Sequence, residues 1–451
     1  MMYTLKISEK GQRTVWLPST IHISGQMEVL FGSYSAPCCF ISRSDNQNEI
    51  IISNDLAKKL KIPFQSHVCL FLDEQSVHLG PLIGIFTAGF KKSNIRPIGK
   101  RTFFFAKLLA KEKEVGGFTF IFGAHHINWE TGTINGYFYT KNGWEQFEVP
   151  FPNVIYNRLP NRRTENEATF QQIKYKLKNE YLIPWFNENF FNKWEIYRML
   201  QNHPSALPYL PETHAHPTEE MVQMMLKKYK HIYMKPADGS LGLGIYEIIE
   251  AKDKNSYYCR YRDEYEQNRL RKFPSLSSLW REIFTEKKMT HYIIQEGIPL
   301  IRYKGRQVDF RIHTNKNKSG QWQVSAIAAK VAGKGSVTTH IHNGGIVKTL
   351  DEIFEHEQER CFVTEKLKKA ALTLSHCLEE KIGAAVGEIG FDFGIDKKWN
   401  VWMFEANSKP GRSIFTHPKL KKYEELTTTL SLEYGVYLSE QIITNPEAII
   451  T

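Results

Sequence analysis

The chain has 451 residues, 59 lysines and arginines against 48 acids, a formal net charge of +11 and 41% hydrophobic residues. That length accommodates about three ordinary domains with ample core, and no apolar run approaches the roughly 18 residues of a membrane span. The six cysteines form no C-x-x-C pair, which excludes a zinc ribbon and a disulfide framework. The opening MMYTLKISEKGQR lacks the apolar segment of a signal peptide, so the expected location is cytoplasmic. A positive balance suits nucleic acid, an anionic wall or coat polymer, or a phosphate-rich ligand. Basic residues are densest at 91–113 and 260–288, without the pattern of a nucleic-acid module, so nucleic acid is the disfavoured partner.

In chain order, residues 1–80 read as a small β-rich domain, with apolar runs at 14–17, 28–31 and 67–72 and one short helix at 54–60. Residues 81–185 then read as an α/β domain: a strand near 84–87, a basic helix over 103–110 and a strand at 118–122. A hairpin follows at 132–144, and a strand with a polar exit at 153–158. The remainder, 186–451, forms a third domain. Asn192 is placed to cap a helix beginning at Lys193, with Glu195 reaching back. Pro204, Pro208 and Pro211 force an extended connection, and a second helix follows Pro217.

The strand at 231–236 ends with Lys235, and Gly239, Ser240, Gly242 and Gly244 lie in the loop after it. Because another strand follows, this is a glycine-rich hairpin and neither a dinucleotide-binding turn nor a P-loop. Its backbone N–H groups can face phosphate oxygens, with Lys235 as a point charge. Gln295 and Glu296 end an apolar strand where a base edge and hydroxyls could be read. Alternation puts Asp309, Arg311 and His313 on one face of the next strand, with Asp309 and Arg311 as a candidate ion pair, and Lys330 ends the strand at 322–331. Residues 391–411, FDFGIDKKWNVWMFEANSKPG, alternate as a hairpin turning at 396–399. Folding it about Lys397 and Lys398 sets Asp392 opposite Met403, with Glu405 and Asn407 beyond on the same face and Phe404 and Ala406 on the apolar face behind. Three oxygen ligands with no soft ligand suit Mg²⁺. The paired histidines at 125–126, 214–216 and 340–342 lack a zinc-spaced partner, and no Gly-x-Ser-x-Gly elbow is present.

Taken in this order, the motifs resemble the ATP-grasp superfamily, in which two α+β subdomains clasp ATP. The resemblance makes Lys193 and Lys235 the two lysines, residues 239–244 the mobile loop, Gln295 and Glu296 the hinge, and Asp392, Glu405 and Asn407 the magnesium triad. More narrowly, residues 154–158 with Arg162 and Glu165, then residues 186–187 and 191–194, resemble the spore-coat-associated YheC/YheD family. The fold it implies is a β-rich N-terminal domain, a pre-ATP-grasp α/β domain and an ATP-grasp domain. The implied activity is ligation of a carboxylate to an amine or thiol through an acylphosphate, with ATP and Mg²⁺ as cofactors. Arg311 and Lys330 would hold the acceptor carboxylate or the oxyanion. Lys330 stands where ligase members commonly have arginine, and His340 near a usual asparagine. The alternatives are a structural protein using the fold as a docking surface, partnered by spore coat components, and a kinase.

Overall fold

The computed structural model describes residues 2–23, 27–44, 48–239, 242–252, 256–285 and 287–445. Four sheets follow one another along the chain. The first has eight strands between Met2 and Gly80, and the expected short helix is Asn54–Lys59.

The second sheet is built on parallel strands Leu82–Phe86, Phe118–Phe122 and Val154–Asn157, extended by Trp185–Phe186. All residues of the first three are buried, as a parallel sheet covered on both faces requires. One face packs on the first sheet through Phe86, Phe118, Phe120 and Trp185. The other packs on the helix Thr102–Leu109 and the C-terminal helix Lys421–Thr444, through Ile83, Ile85, Phe105 and Tyr434. The hairpin Thr133–Thr140 with Gly143–Pro150 adds the antiparallel edge.

The third and fourth sheets form the two walls of a cleft. The third is antiparallel, with His231–Pro236 between Tyr292–Glu296 and Tyr246–Glu250, and its core is closed by helices Glu219–Tyr229 and Leu276–Ile283. In the fourth, Arg306–Lys316 lies between Trp322–Val331 and Glu388–Ile395, and Val401–Asn407 pairs the latter. Helices Lys193–Leu200 and Glu357–Ile382 cover the face away from the cleft. Alternation explains this division: Val308, Phe310 and Ile312 are buried toward the helices, leaving Asp309 and Arg311 for the cleft. Thr218 accepts from the Met221 N–H and caps the helix after Pro217. No helix among the described residues is long and apolar enough to cross a membrane.

One buried side chain joins the second sheet to the fourth. Asn187 follows Trp185–Phe186 with φ of 54°, a left-handed conformation that asparagine tolerates better than most residues. Its Nδ2 donates to the Glu388 carbonyl at 2.8 Å and to the Ser408 carbonyl, while Oδ1 accepts from the N–H groups of Gly387 (2.8 Å) and Glu388 (3.3 Å). It thus grips both ends of the hairpin that carries Asp392 and Glu405. Beside it, buried Lys409 pairs with Glu165, which also accepts from the Phe190 N–H at 2.8 Å.

Asn187→Ala strands these buried groups, each costing about 1–3 kcal/mol when unsatisfied. Urea denaturation followed by tryptophan fluorescence should show a loss of about 3 kcal/mol or more; a loss below about 1 kcal/mol would remove Asn187 from this role.

Candidate functional site

Between the third and fourth sheets lies a cleft of about 980 Å³, counting its open mouth. Its lining includes Lys193, Lys235, Gly239, Gly242, Asp309, Lys330, Asp392, Phe404 and Glu405. Lys193 starts its helix under the Asn192 cap, whose Oδ1 accepts from the N–H groups of Trp194 and Glu195. Its Nζ donates to the Gly239 carbonyl at 2.5 Å and stands 3.4 Å from Glu405. Lys235 ends the central strand of the third sheet; its Nζ donates to Gln295 Oε1 at 2.6 Å and lies 5.3 Å from the Phe404 ring centre. Burial, then the charge of Lys193, lower its pKa to about 8 against the opposing pull of Glu405, Asp392 and Asp309. Two cations therefore face the cleft with incomplete neutralisation.

The connection from Lys235 to the next strand is the expected strand-to-strand hairpin. Gly242 and Gly244 have φ of 72° and 69°, a region open to glycine. A Cβ on Gly242 would come within 2.9 Å of Thr338 Oγ1, so the hairpin reaches across the cleft to the fourth-sheet side. Gly239 has no positive φ; its requirement is proximity, since a Cβ there would meet Pro236 Cβ at 2.9 Å. Ser240 lies outside the described residues.

On the fourth sheet the register differs from the sequence expectation. Asp392 faces Glu405, and Met403 faces Phe393, because a bulge falls between these pairs and makes Phe404 the extra residue. A bulge re-aims side chains: Phe404 lines the cleft beside Glu405 instead of the apolar face behind it. Asn407 pairs with Gly390, two register positions beyond. The expected ion pair also changes. Arg311 is bidentate to Asp392, with Nε to Oδ1 at 2.9 Å and Nη2 to Oδ2 at 2.7 Å, and Lys330 donates to Asp392 Oδ1 at 2.7 Å. Asp309 instead has Lys330 at 3.2 Å and a hydrogen bond from Thr339.

Two nearby carboxyls are thereby driven apart. Burial opposes the charge of Asp392, but Arg311 and Lys330 outweigh it and hold its pKa well below the usual range. Asp309 is pushed up, by burial first, against the pull of Lys330 and with the repulsion of Asp392. His340, also in the lining, falls to about 4 through burial and then Lys330, so it is neutral at pH 7.

The hinge residues have other duties. Gln295 is occupied by Lys235 and donates to Thr213 Oγ1 at 3.0 Å. Glu296 accepts from the Glu212 N–H at 3.2 Å; Ile298 and Leu300, just beyond it, line the cleft. Sequence reading missed Thr339, which is signalled only by its place in the loop after Lys330, and Phe404, which no alternation pattern would assign to the cleft. Among the described residues no group of three or more His, Cys, Asp or Glu side chains is arranged to hold a metal.

The family model for YheC/D like ATP-grasp proteins matches residues 182–438. The chain belongs to that family. It is 43% identical over 447 residues to the endospore coat-associated protein YheD of Bacillus subtilis, covering 99% of this chain and 98% of that one. It is 24% identical to YheC of the same organism over 339 residues, covering 74% and 92% respectively. Among solved structures, a D-alanine–D-alanine ligase from Bacillus anthracis is 12% identical with a TM-score of 0.45, covering 80% of this chain and 99% of that one. The VanG D-Ala:D-Ser ligase of Enterococcus faecalis has a TM-score of 0.44 and 12% identity, covering 79% and 99%. The ATP-grasp fold of the chain is that of its family: two α+β units around a cleft.

Asp392→Asn leaves Arg311 and Lys330 facing each other without their carboxylate, a change that costs about 3–5 kcal/mol when such a pair is buried. Because the folded pKa of Asp392 is depressed, its contribution is complete above the ordinary 3.8 and lost as pH falls below that value. Denaturation midpoints of parent and Asp392→Asn should therefore differ widely at neutral pH, and the gap should begin to narrow only below pH 3.8 and go on narrowing as the pH falls further. A pH-independent gap would show that the carboxylate's charge is not what the two cations require.

Proposed function

We propose that this protein binds Mg²⁺-ATP in the cleft and transfers the γ-phosphoryl group to a carboxylate substrate, whose acylphosphate is then taken by an amine or thiol. The observation carrying the reading is the pair Lys193 and Lys235, incompletely neutralised, under a glycine hairpin and opposite Glu405. A triphosphate supplies the missing negative charge, and the hairpin's backbone N–H groups supply donors. Magnesium fits the acids present: Glu405 faces the cleft, and Asp392 Oδ2 keeps acceptor capacity beyond its bond to Arg311. Asn407 is the third candidate ligand. When bound, Mg²⁺ offsets charge on the transferred phosphoryl group.

The chain's own groups do the rest. Lys193 and Lys235 hold phosphate oxygens, and Phe404 fixes the Lys235 ammonium. Arg311 and Lys330, poised on Asp392, sit where an acceptor carboxylate enters and hold its oxygens as the phosphoryl arrives. As the carboxylate oxygen bonds to the γ-phosphorus, the phosphorus–oxygen bond to ADP breaks and ADP leaves; the amine or thiol then bonds to the acyl carbon, phosphate departs with the carbon–oxygen electron pair, and the nucleophile's proton passes to the departing phosphate or to solvent. The name of the 43% identical relative supports spore coat components as the setting. A scaffold without turnover is the second reading, favoured by one observation: Asp392 is already engaged by two cations, as a purely structural network would have it.

Since Lys235 loses its proton near pH 8 and an arriving triphosphate favours the ammonium, ATP binding above pH 8 should take up a proton. Calorimetry at about pH 9, in buffers of different ionisation enthalpy, should give buffer-dependent heats for the parent and buffer-independent heats for Lys235→Met. Affinity should weaken by up to about tenfold per pH unit above 8. Equal heats in every buffer would remove Lys235 from the phosphate site.

Glu405→Gln keeps size and removes charge. Turnover of ATP with a pool of carboxylates and amines should fall about a hundredfold or more, while the melting temperature without nucleotide stays near that of the parent. Turnover unchanged by this substitution would overturn the metal assignment; no turnover in the parent, with ATP still bound, would establish the scaffold.

A further inference from the structure

On the second sheet, away from the cleft, three segments build an exposed apolar prominence. They are the loop at residues 94–100, the first turn of helix Thr102–Leu109 and the hairpin tip at residues 139–144, which line one groove. Ile95 is 81% exposed and Phe103 72% exposed, beside the Tyr139–Trp144 ring pair, whose centres are 5.2 Å apart. Exposure of this kind in one place marks an interaction surface more than a scattering of single residues does.

The loop is built to present Ile95. The Lys91 N–H donates to the Pro97 carbonyl at 2.8 Å, the Arg96 N–H to Ser93 Oγ at 3.1 Å, and the Ile98 N–H to Thr102 Oγ1 at 3.1 Å. Ile98 is buried at 3% exposure and anchors the base. The tip thus holds an apolar side chain in water on a hydrogen-bonded frame.

Around it stands a ring of positive charge. Lys91, Lys92, Arg96, Lys100 and Lys141 are exposed, and none of them has an ion-pair partner among the described residues. Residues 89–111 contain no acid at all. Two carboxylates on adjoining elements are engaged elsewhere: Glu424 pairs with Lys107, and Glu145 accepts from Thr140 and Asn142. Lys107 itself lies 4.8 Å from the Phe103 ring centre.

We propose that this prominence docks on an anionic lipid bilayer surface, with Ile95 and Phe103 entering the interface and the cations meeting headgroup phosphates. Charge complementarity selects this occupant. Unpaired lysines and arginines surrounding projecting aromatic and aliphatic side chains match the layering of a bilayer interface, anionic outside and apolar within. The net charge of +11 adds long-range attraction. The inference is independent of nucleotide binding.

The test is co-sedimentation of the full chain with vesicles of phosphatidylcholine containing about one third phosphatidylglycerol, against phosphatidylcholine alone. Binding is expected only to the anionic vesicles and should weaken with salt. Ile95→Ser with Phe103→Ser, and separately a variant with Lys91, Lys92, Arg96 and Lys100 all changed to Gln, should each lower binding by about tenfold or more. Both should melt and bind ATP like the parent. No binding to anionic vesicles at low salt would overturn the proposal. So would full retention in the Ile95→Ser, Phe103→Ser variant, which would show adsorption by charge alone. A photo-crosslinker at position 103 that captures a protein, with no vesicle binding, would reassign the face to a protein partner.

Discussion

Asp392 is the carboxylate on which the geometry of the cleft depends. It takes two hydrogen bonds from Arg311 on the neighbouring strand and one from Lys330 a strand further on, while Glu405 faces it from the other side. A buried charge is tolerated only when matched and hydrogen-bonded, so three strands are held in one register by the demands of one side chain. A slip of one residue would turn every cleft-facing group of that strand toward the helices. The apolar half of the alternation, Val308, Phe310, Ile312 and Phe391, Phe393, opposes the same slip from the other face. Packing and charge thus specify the same arrangement independently.

The charges around this carboxylate are arranged by unequal burial and unequal partners. Asp392 has Arg311 and Lys330; Asp309 shares only Lys330 and a hydroxyl. Identical side chains on neighbouring strands consequently differ in proton affinity, the pattern by which folds assign separate roles to like groups. Lys235 differs in another way: its hydrogen-bond partner is the neutral Gln295, and its proton is held more loosely than that of an ordinary lysine.

Much of this was legible in the sequence because it is local. The strand Phe118–Phe122, the Asn192 cap and the strand-to-strand glycine hairpin follow from period, cap chemistry and the absence of a following helix pattern. Alternation sets Asp309 and Arg311 on the face opposite Val308, Phe310 and Ile312, and Asp309 lines the cleft together with Lys330, Asp392 and Glu405. The misses have a common cause. A bulge adds a residue that alternation cannot register, so Asp392 was set against Met403 and Phe404 was turned away from the cleft. Arg311 was paired with its neighbour along the strand because its true partner lies across strands, 81 residues away. The Asn187 clamp joins residues about 200 positions apart, and nothing in its surroundings in the chain announces it.

The C-terminal helix Lys421–Thr444 has a mechanical consequence. It packs on strands of the first, second and fourth sheets, and Tyr434 is buried against Phe186 and Gly387. The third sheet has a core of its own, drawn from residues 222–294. One wall of the cleft is therefore bolted to the body of the molecule, and the other is joined to it through the connections near residues 201–212 and 297–305 and by a few bonds across the cleft, among them the Lys193 N–H to the Ala237 carbonyl at 2.9 Å and Arg262 to Asn343. Lys193 rides on the bolted wall and Lys235 on the other, so the charge that loosens the Lys235 proton comes from a separately packed unit. Negative charge between the two lysines would relieve their repulsion and draw on both walls at once.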